Sequence, residues 1–324
     1  MSDILQGEGL VGLTEVEAAA RRLAGVAVRT PLLPADVISE IAGANVRLKC
    51  ESLQRAGSFK IRGAYNFVSQ LSDEQVACGI ITYSSGNHAQ AVALSGKLRG
   101  VRAVVVMPTT APKVKRDGAE RLGAEVIYEG TTSLERRAKA EEIAEEQGLV
   151  IVPPFDHRHI IAGQGTVGLE IAREWPDVDL VLAPIGGGGL ASGVAASIKR
   201  LLPAARVIGV EPEGAASMRK ALDEERPVVI KKIDTIADGL APVMAGELTY
   251  EHAFSLMDDV VTVSDDAIRE ATSLLVSKQK LIVEFSGAAA TAALLSKAVE
   301  AEDQRVAVVI SGGNLDPTLL AGMA

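Results

Sequence analysis

Short apolar runs, each broken by a polar or glycine-rich loop and followed by an alanine-rich helical pattern, recur along this chain. Residues 79–83 lead to a helix at 87–98, 103–107 to one at 113–122, and 125–128 to a long charged one at 134–147. Residues 150–152 close that set, and Pro153-Pro154 marks a crossing between domains. Beyond it come a helix at 159–174, a strand at 180–185, a helix at 190–201 and a strand at 207–210. A less regular segment from 225 to 263, helices at 265–279 and 287–299 and a last strand at 306–310 follow. Upstream, 14–25 reads as a capped amphipathic helix, and 46–50 alternates like a short strand. Strands alternating with helices dictate a parallel sheet with helices on both faces. Right-handed crossovers then gather every strand-to-helix loop along one edge, where ligands bind. Hydrophobic residues make up 48% of the chain but aromatics only 3%, so Val, Ile, Leu and Ala must build the core, which suits covered parallel strands.

Several function classes are excluded at this stage. The apolar runs are too short, and too often broken by Gly, Pro or charge, to span a bilayer. Met1-Ser2-Asp3-Ile4 has no basic region leading into an apolar core, so no secretory signal is read. A net charge of −9 argues against nonspecific nucleic-acid binding, which needs a basic face. The four histidines show no metal-ligand spacing. Cys50 and Cys78 lack CxxC or Cys/His spacing and read as buried small hydrophobes in a reducing compartment. The expectation is an acidic cytoplasmic protein acting on a small molecule, with neither nucleic acid nor membrane as partner.

Three strand-end loops carry the chemistry. Gly186-Gly187-Gly188-Gly189-Leu190 follows an apolar strand and opens a helix. Four glycines remove every Cβ, so consecutive backbone N–H groups can converge on one anion, assisted by the helix N-terminus. The loop lacks the Gly-Lys-Ser/Thr of a nucleotide P-loop and the GxGxxG of a dinucleotide site, so its phosphate belongs to neither ATP nor NAD. Ser84-Ser85-Gly86-Asn87-His88 combines hydroxyls, an amide and a helix start, a cradle suited to a carboxylate. Ser311-Gly312-Gly313-Asn314 follows the final strand, and a serine hydroxyl there is a neutral partner for a ring nitrogen.

Lys60 joins the set. Ser58 reads as the N-cap of a helix over 61–71, with Lys60 in its first turn. An ammonium there opposes the helix dipole and loses its proton more readily, as a Schiff-base amine requires. Lysine, phosphate cradle, carboxylate cradle and neutral ring-nitrogen partner are together the parts that hold pyridoxal 5′-phosphate and an amino acid.

These motifs resemble the fold type II (β-family, tryptophan synthase β-like) pyridoxal-phosphate enzymes, in the serine/threonine dehydratase and serine racemase branch. The matching stretches include residues 57–64, 84–90, 109–112, 161–166, 186–190, 235–239 and 311–314, in the family's order across nearly the whole chain. The resemblance implies a two-domain α/β fold, with a large domain of residues 1–78 plus 155–324 and a small mobile domain of 79–154. Lys60 would carry the cofactor as a Schiff base, and Phe59 would pack beside its ring. Asn87 would bond the ring's 3-oxygen. Gly186 to Gly189, with Leu190, would hold the phosphate. The Gly239 backbone would lie near the ring, and Ser311 would face its nitrogen. Ser84, Ser85, Gly86, Asn87 and His88 would grip the substrate carboxylate. A homodimer or homotetramer is implied. About ten residues follow 311–314, so no C-terminal regulatory domain is expected.

The implied reaction is α,β-elimination of water from L-threonine or L-serine. Racemisation is the near rival, since Ser85 stands where the racemases keep a second acid/base. Hydroxyaspartate dehydration is another, and Arg136 stands where racemases and hydroxyaspartate-handling relatives alike carry an arginine. On local sequence alone, Arg136 reads as a solvated helix residue. A non-catalytic sensor is disfavoured by the retained Lys60, and β-replacement fits the motifs less well. Racemase-like members bind a cation through a glutamate, a carbonyl and an aspartate. Glu211 and Ala215 match, but Ser217 replaces the aspartate, so the metal assignment stays open. Phe285 stands where many relatives have proline.

Overall fold

In the computed structural model, which describes residues 9–84, 86–111 and 113–322, the apolar runs assemble into two sheets. The strands are β1 (Leu32–Pro34), β2 (Asn45–Cys50), β3 (Ile80–Tyr83), β4 (Ala103–Met107) and β5 (Glu125–Tyr128). They continue as β6 (Val150–Ile151), β7 (Leu180–Pro184), β8 (Arg206–Pro212), β9 (Asp259–Val263) and β10 (Arg305–Ile310). The helices are α1 (Leu13–Leu23), α2 (Asp36–Ala42), α3 (Lys60–Val68), α4 (Asp73–Cys78), α5 (Asn87–Arg99), α6 (Lys113–Arg121) and α7 (Ser133–Gln147). After them come α8 (Arg158–Glu174), α9 (Gly189–Leu201), α10 (Ser217–Asp223), α11 (Glu247–Leu256), α12 (Asp265–Ser277) and α13 (Phe285–Leu295).

The larger sheet runs β1-β2-β10-β7-β8-β9, parallel except for β1, and the smaller runs β5-β4-β3-β6, all parallel. The period-two rule of a strand sorts their side chains. Leu180, Leu182, Val306 and Val308 join the core beneath α12 and α13, while Val181, Ala183, Ala307 and Val309 join the one beneath α8 and α9. In the smaller sheet Val104 and Val106 face α7, whereas Ala103 and Val105 face α5. Helices therefore cover both faces of each sheet, as the alternation predicts. No described helix is long and apolar enough to cross a membrane.

Helix α3 sits at the junction of the two sheets. It packs on α8 and α5, and Ile61, Ala64, Phe67 and Val68 complete the core of the smaller sheet. Its polar side is clamped from below. The Arg62 guanidinium, 1% exposed, donates to Glu51 twice at 2.8 Å and to Glu170 at 2.7 Å. Lys49 Nζ donates to Glu170 and to the Thr30 carbonyl, both at 2.6 Å. Burial works to raise the Glu51 pKa, but Arg62 outweighs it and the net shift is downward. Two cations and two anions balance, which is what makes so deep an ionic cluster tolerable.

Several expectations are corrected. Ser58 is extended (φ −163°) and does not cap; Phe59 holds the N-cap position, and the Ser58 hydroxyl is buried without a partner. Helix α3 ends at Val68, because the chain turns at Ser69 before the capping box of Ser72 and Gln75 starts α4. The segment 225–263 contains α11 and β9, whose mixed composition hides that β9 pairs with β8 at the sheet edge. Cys50 is buried as expected, but Cys78, at the end of the exposed helix α4, is exposed. Replacing Arg62 with Met strands the buried Glu51 carboxylate and takes one of two cations from the half-buried Glu170, and is expected to cost about 3–5 kcal/mol of stability, read from a denaturant titration.

Candidate active site

One cavity opens at the carboxyl ends of the strands, between the two sheets. Phe59, Lys60, Ser84, Asn87, His88, Gly186 to Gly189, Leu190, Gly239 and Ser311 all line it. Gly86 lies between Ser84 and Asn87, packed so closely against the Lys115 side chain that a Cβ would collide with it. Ser85 lies outside the described residues.

Lys60 is the first residue of α3, and its Nζ donates to the Pro154 carbonyl at 2.8 Å. Burial of the amine pushes its pKa down to about 8, with the negative charge of Glu284 working the other way. The Phe59 ring centroid is 5.2 Å from Nζ. Phe59 N–H bonds the Ser311 carbonyl at 3.1 Å, and Ser58 bridges to Gly312, so the lysine and the last strand-end loop are tied through the backbone.

The tetraglycine turn leaves β7 and enters α9. Gly188 takes φ +98°, a left-handed conformation that glycine adopts without the steric cost a Cβ brings. Behind the turn the Phe155 ring lies against Gly187, and Thr249 Oγ donates to the Gly187 carbonyl at 2.6 Å. Among the described residues none accepts a hydrogen bond from the N–H groups of Gly186 to Gly189. A curved row of unsatisfied donors at a helix start fits a phosphate.

Asn87 opens α5 and is held from the far side: its Oδ1 accepts from Asn314 Nδ2 at 2.9 Å, and its Nδ2 donates to Glu284 Oε1. His88 is buried with Nε2 3.2 Å from the Val152 carbonyl, and burial beside Lys60 pushes its pKa down to about 3. That imidazole is neutral and contributes shape, not charge. Ser311 is buried, its hydroxyl 3.4 Å from the Ser286 carbonyl, while Ser286 Oγ accepts from Gly239 N–H at 2.8 Å. A hydroxyl, not a carboxylate, stands at that wall. Phosphate cradle, buried amine and neutral hydroxyl together fit pyridoxal phosphate.

Arg136 departs from the solvated expectation. It is only 8% exposed and lines the cavity; Nη1 donates to the Thr131 carbonyl at 3.2 Å, and Nε is buried without a partner. The neighbouring Glu135 carboxylate is absorbed in capping Thr131 and Thr132. Lys115, Asp238, Glu284 and Tyr83 also line the cavity, and the sequence assigned them no role. Lys115 carries no local signal, because Lys113–Arg121 reads as an ordinary solvated helix. At Glu211 both carboxylate oxygens accept backbone N–H groups, from Met218 and Arg219 at 2.8 Å each. Burial pushes this carboxyl up to about 7. No group of three or more His, Cys, Asp or Glu side chains among the described residues is arranged to hold a metal ion.

Comparisons with known proteins agree with this geometry. Residues 23–312 match the model of the family described as pyridoxal-phosphate dependent enzyme. Over 311 residues the chain is 42% identical to the L-threonine ammonia-lyase of Thermotoga maritima, covering 96% of this chain and 77% of that protein. Its structure is similar to that of maize serine racemase, with a TM-score of 0.93, 37% identity and 97% of both chains covered. It is also similar to the processed form of threonine deaminase isoform 2 from Solanum lycopersicum, with a TM-score of 0.90, 40% identity, and 96% and 86% of the two chains covered.

Only the neutral amine attacks an aldehyde. Cofactor uptake by the apoprotein is therefore expected to rise with pH around a midpoint near 8, rather than near the 10.5 of an ordinary lysine. Stopped-flow absorbance across pH 6–11 (about five units, spanning both values) measures it.

Proposed function

We propose that this chain, which belongs to the pyridoxal-phosphate dependent enzymes of fold type II in the threonine dehydratase and serine racemase branch, deaminates L-threonine and L-serine. The products are 2-oxobutanoate or pyruvate, and ammonia. The observation that carries the reading is the half-buried Lys60 amine, its pKa lowered by desolvation, sharing one cavity with the unsatisfied amides of Gly186 to Gly189 and the Ser311 hydroxyl. Bound there, pyridoxal phosphate supplies an electron sink for the pair left at the substrate Cα.

The chain's own groups do the rest. Gly186 to Gly189 would hold the cofactor phosphate through their N–H groups, and Leu190 continues the helix whose dipole would support it. The turn from Ser84 to His88 receives the substrate carboxylate. Asn87, oriented by Asn314 and Glu284, has one amide hydrogen left that would bond the ring oxygen of the cofactor. Lys60 Nζ, depressed toward neutrality, takes the Cα proton. The β-hydroxyl departs as water carrying the proton that Lys60 Nζ took from Cα, and the released enamine hydrolyses to the 2-oxo acid and ammonia. Ser311, being neutral, would not hold a proton on a ring nitrogen bound beside it, which would favour prompt loss of the β-hydroxyl. The segment 79–154 acts as a small mobile domain that shuts over the substrate.

A second reading is favoured by Arg136. The Arg136 side chain, 8% exposed, lines the cavity, its Nε makes no hydrogen bond, and the adjacent Glu135 carboxylate is engaged by Thr131 and Thr132. A second carboxylate on the substrate, as in 3-hydroxyaspartate, supplies the guanidinium with an anion. Racemisation of serine by this site would require Ser85 as the opposing acid/base.

Lys60→Ala is expected to lower kcat for threonine deamination by at least about a thousandfold and to abolish the peptide label left by borohydride reduction of the holoprotein. Full activity, or a label elsewhere, rejects the assignment. Arg136→Met is expected to lower kcat/KM for 3-hydroxyaspartate about 10–100-fold while changing that for threonine little. Equal losses on both substrates reject the second reading.

A further inference from the structure

Glu284 is 3% exposed and immediately precedes α13. One oxygen, Oε1, accepts from Asn87 Nδ2. The other, Oε2, is buried with no hydrogen bond and lies 3.6 Å from Lys115 Nζ. Lys115 reaches across the cleft from α6, is itself buried, and closes on Asp238 at 2.5 Å. Two glycines make room for the pair. A Cβ on Gly312 would strike the Glu284 carboxylate, and one on Gly86 would strike the Lys115 stem. This is a built arrangement on the wall that Lys60 shares.

The charged and titratable groups facing this corner can be named element by element. Lys60 comes from α3, His88 from α5, Lys115 from α6, Arg136 and Arg137 from α7, Tyr83 from β3 and Asp238 from the turn before Gly239. His88 is neutral, so four cations meet two carboxylates. Asp238 is 44% exposed in its side chain and bound to Lys115, so solvent screens it. Glu284 is the buried carboxylate left to act on the amine.

We propose that Glu284, with Lys115 as its counter-ion, is a positioning residue of this site: its carboxylate aims the Asn87 amide and supplies negative charge to the Lys60 nitrogen. The inference rests on the reading of Lys60 as the cofactor lysine. Burial drives the Lys60 pKa down, and Glu284 is the group that opposes the fall. Glu284 is raised by its own burial, and Lys115 counters that rise. Lys115 thus opposes protonation of the carboxylate, and the negative charge of the carboxylate opposes loss of the amine's proton.

The test is Glu284→Gln, which keeps an oxygen for Asn87 and removes the charge. Two readouts besides turnover apply: the pH midpoint of pyridoxal-phosphate uptake by the apoprotein, and the rate at which the holoprotein loses its cofactor absorbance on dilution. Glu284→Gln is expected to lower the midpoint by about one pH unit with cofactor retention near wild type. Glu284→Asp, which keeps the charge but shortens the reach to Asn87, is expected to hold the midpoint and lose cofactor faster. A folded Glu284→Gln protein with an unmoved midpoint overturns the proposal. So does Glu284→Asp shifting the midpoint downward by that same unit, which decides the matter even where the Gln variant fails to fold. Wild-type protein that never loads cofactor at Lys60 instead rejects the function proposed above.

Discussion

Holding a lysine amine partly desolvated at the seam between the two sheets is the constraint on which the structure turns. Burial disfavours the ammonium and brings Lys60 down to about 8. The same burial would let the helix drift unless something anchors it. Two residues on, Arg62 supplies that anchor through Glu51 and Glu170, while the apolar face of α3 is gripped by α5 and α8. The reactive end of the helix is thus exposed to the cavity, and its other faces are immobilised.

The segment after β6 joins that lysine to the tetraglycine turn. Pro154 offers its carbonyl to Lys60, and Phe155 packs against Gly187 and Gly189. Asp156 caps α11 through the N–H groups of Glu247 and Thr249. Thr249 then returns to the Gly187 carbonyl. Three consecutive residues therefore set the distance between amine and anion cradle. Any shift in the crossing between the sheets moves both together, which suits a site whose ligand must be held at both ends.

Much of this is legible along the chain. Residues 103–107 and 125–128 are strands with the expected bounds, because an apolar run flanked by turn residues needs no distant information. Lys60, the glycine turn and the Ser311 loop were recognisable because each concentrates unusual chemistry within a few neighbours. Arg136 was misjudged for the opposite reason: its helix is charged throughout, and only the folding of α7 against the cavity shows that this one guanidinium is buried. Ser58 failed as a cap because Phe59 takes the N-cap position and the Ser58 hydroxyl reaches no helix N–H.

The order of apolar runs, helices and glycine turns by itself determined a parallel α/β architecture and the edge on which a ligand sits, since strand period and crossover handedness are local rules. Tertiary structure alone decided that Glu284, Lys115, Asp238 and Asn87 meet. They lie 197 positions apart at the Asn87–Glu284 contact and 123 at Lys115–Asp238. Electrostatic energy depends on distance through space and on burial, and neither is written in the spacing of residues along a chain.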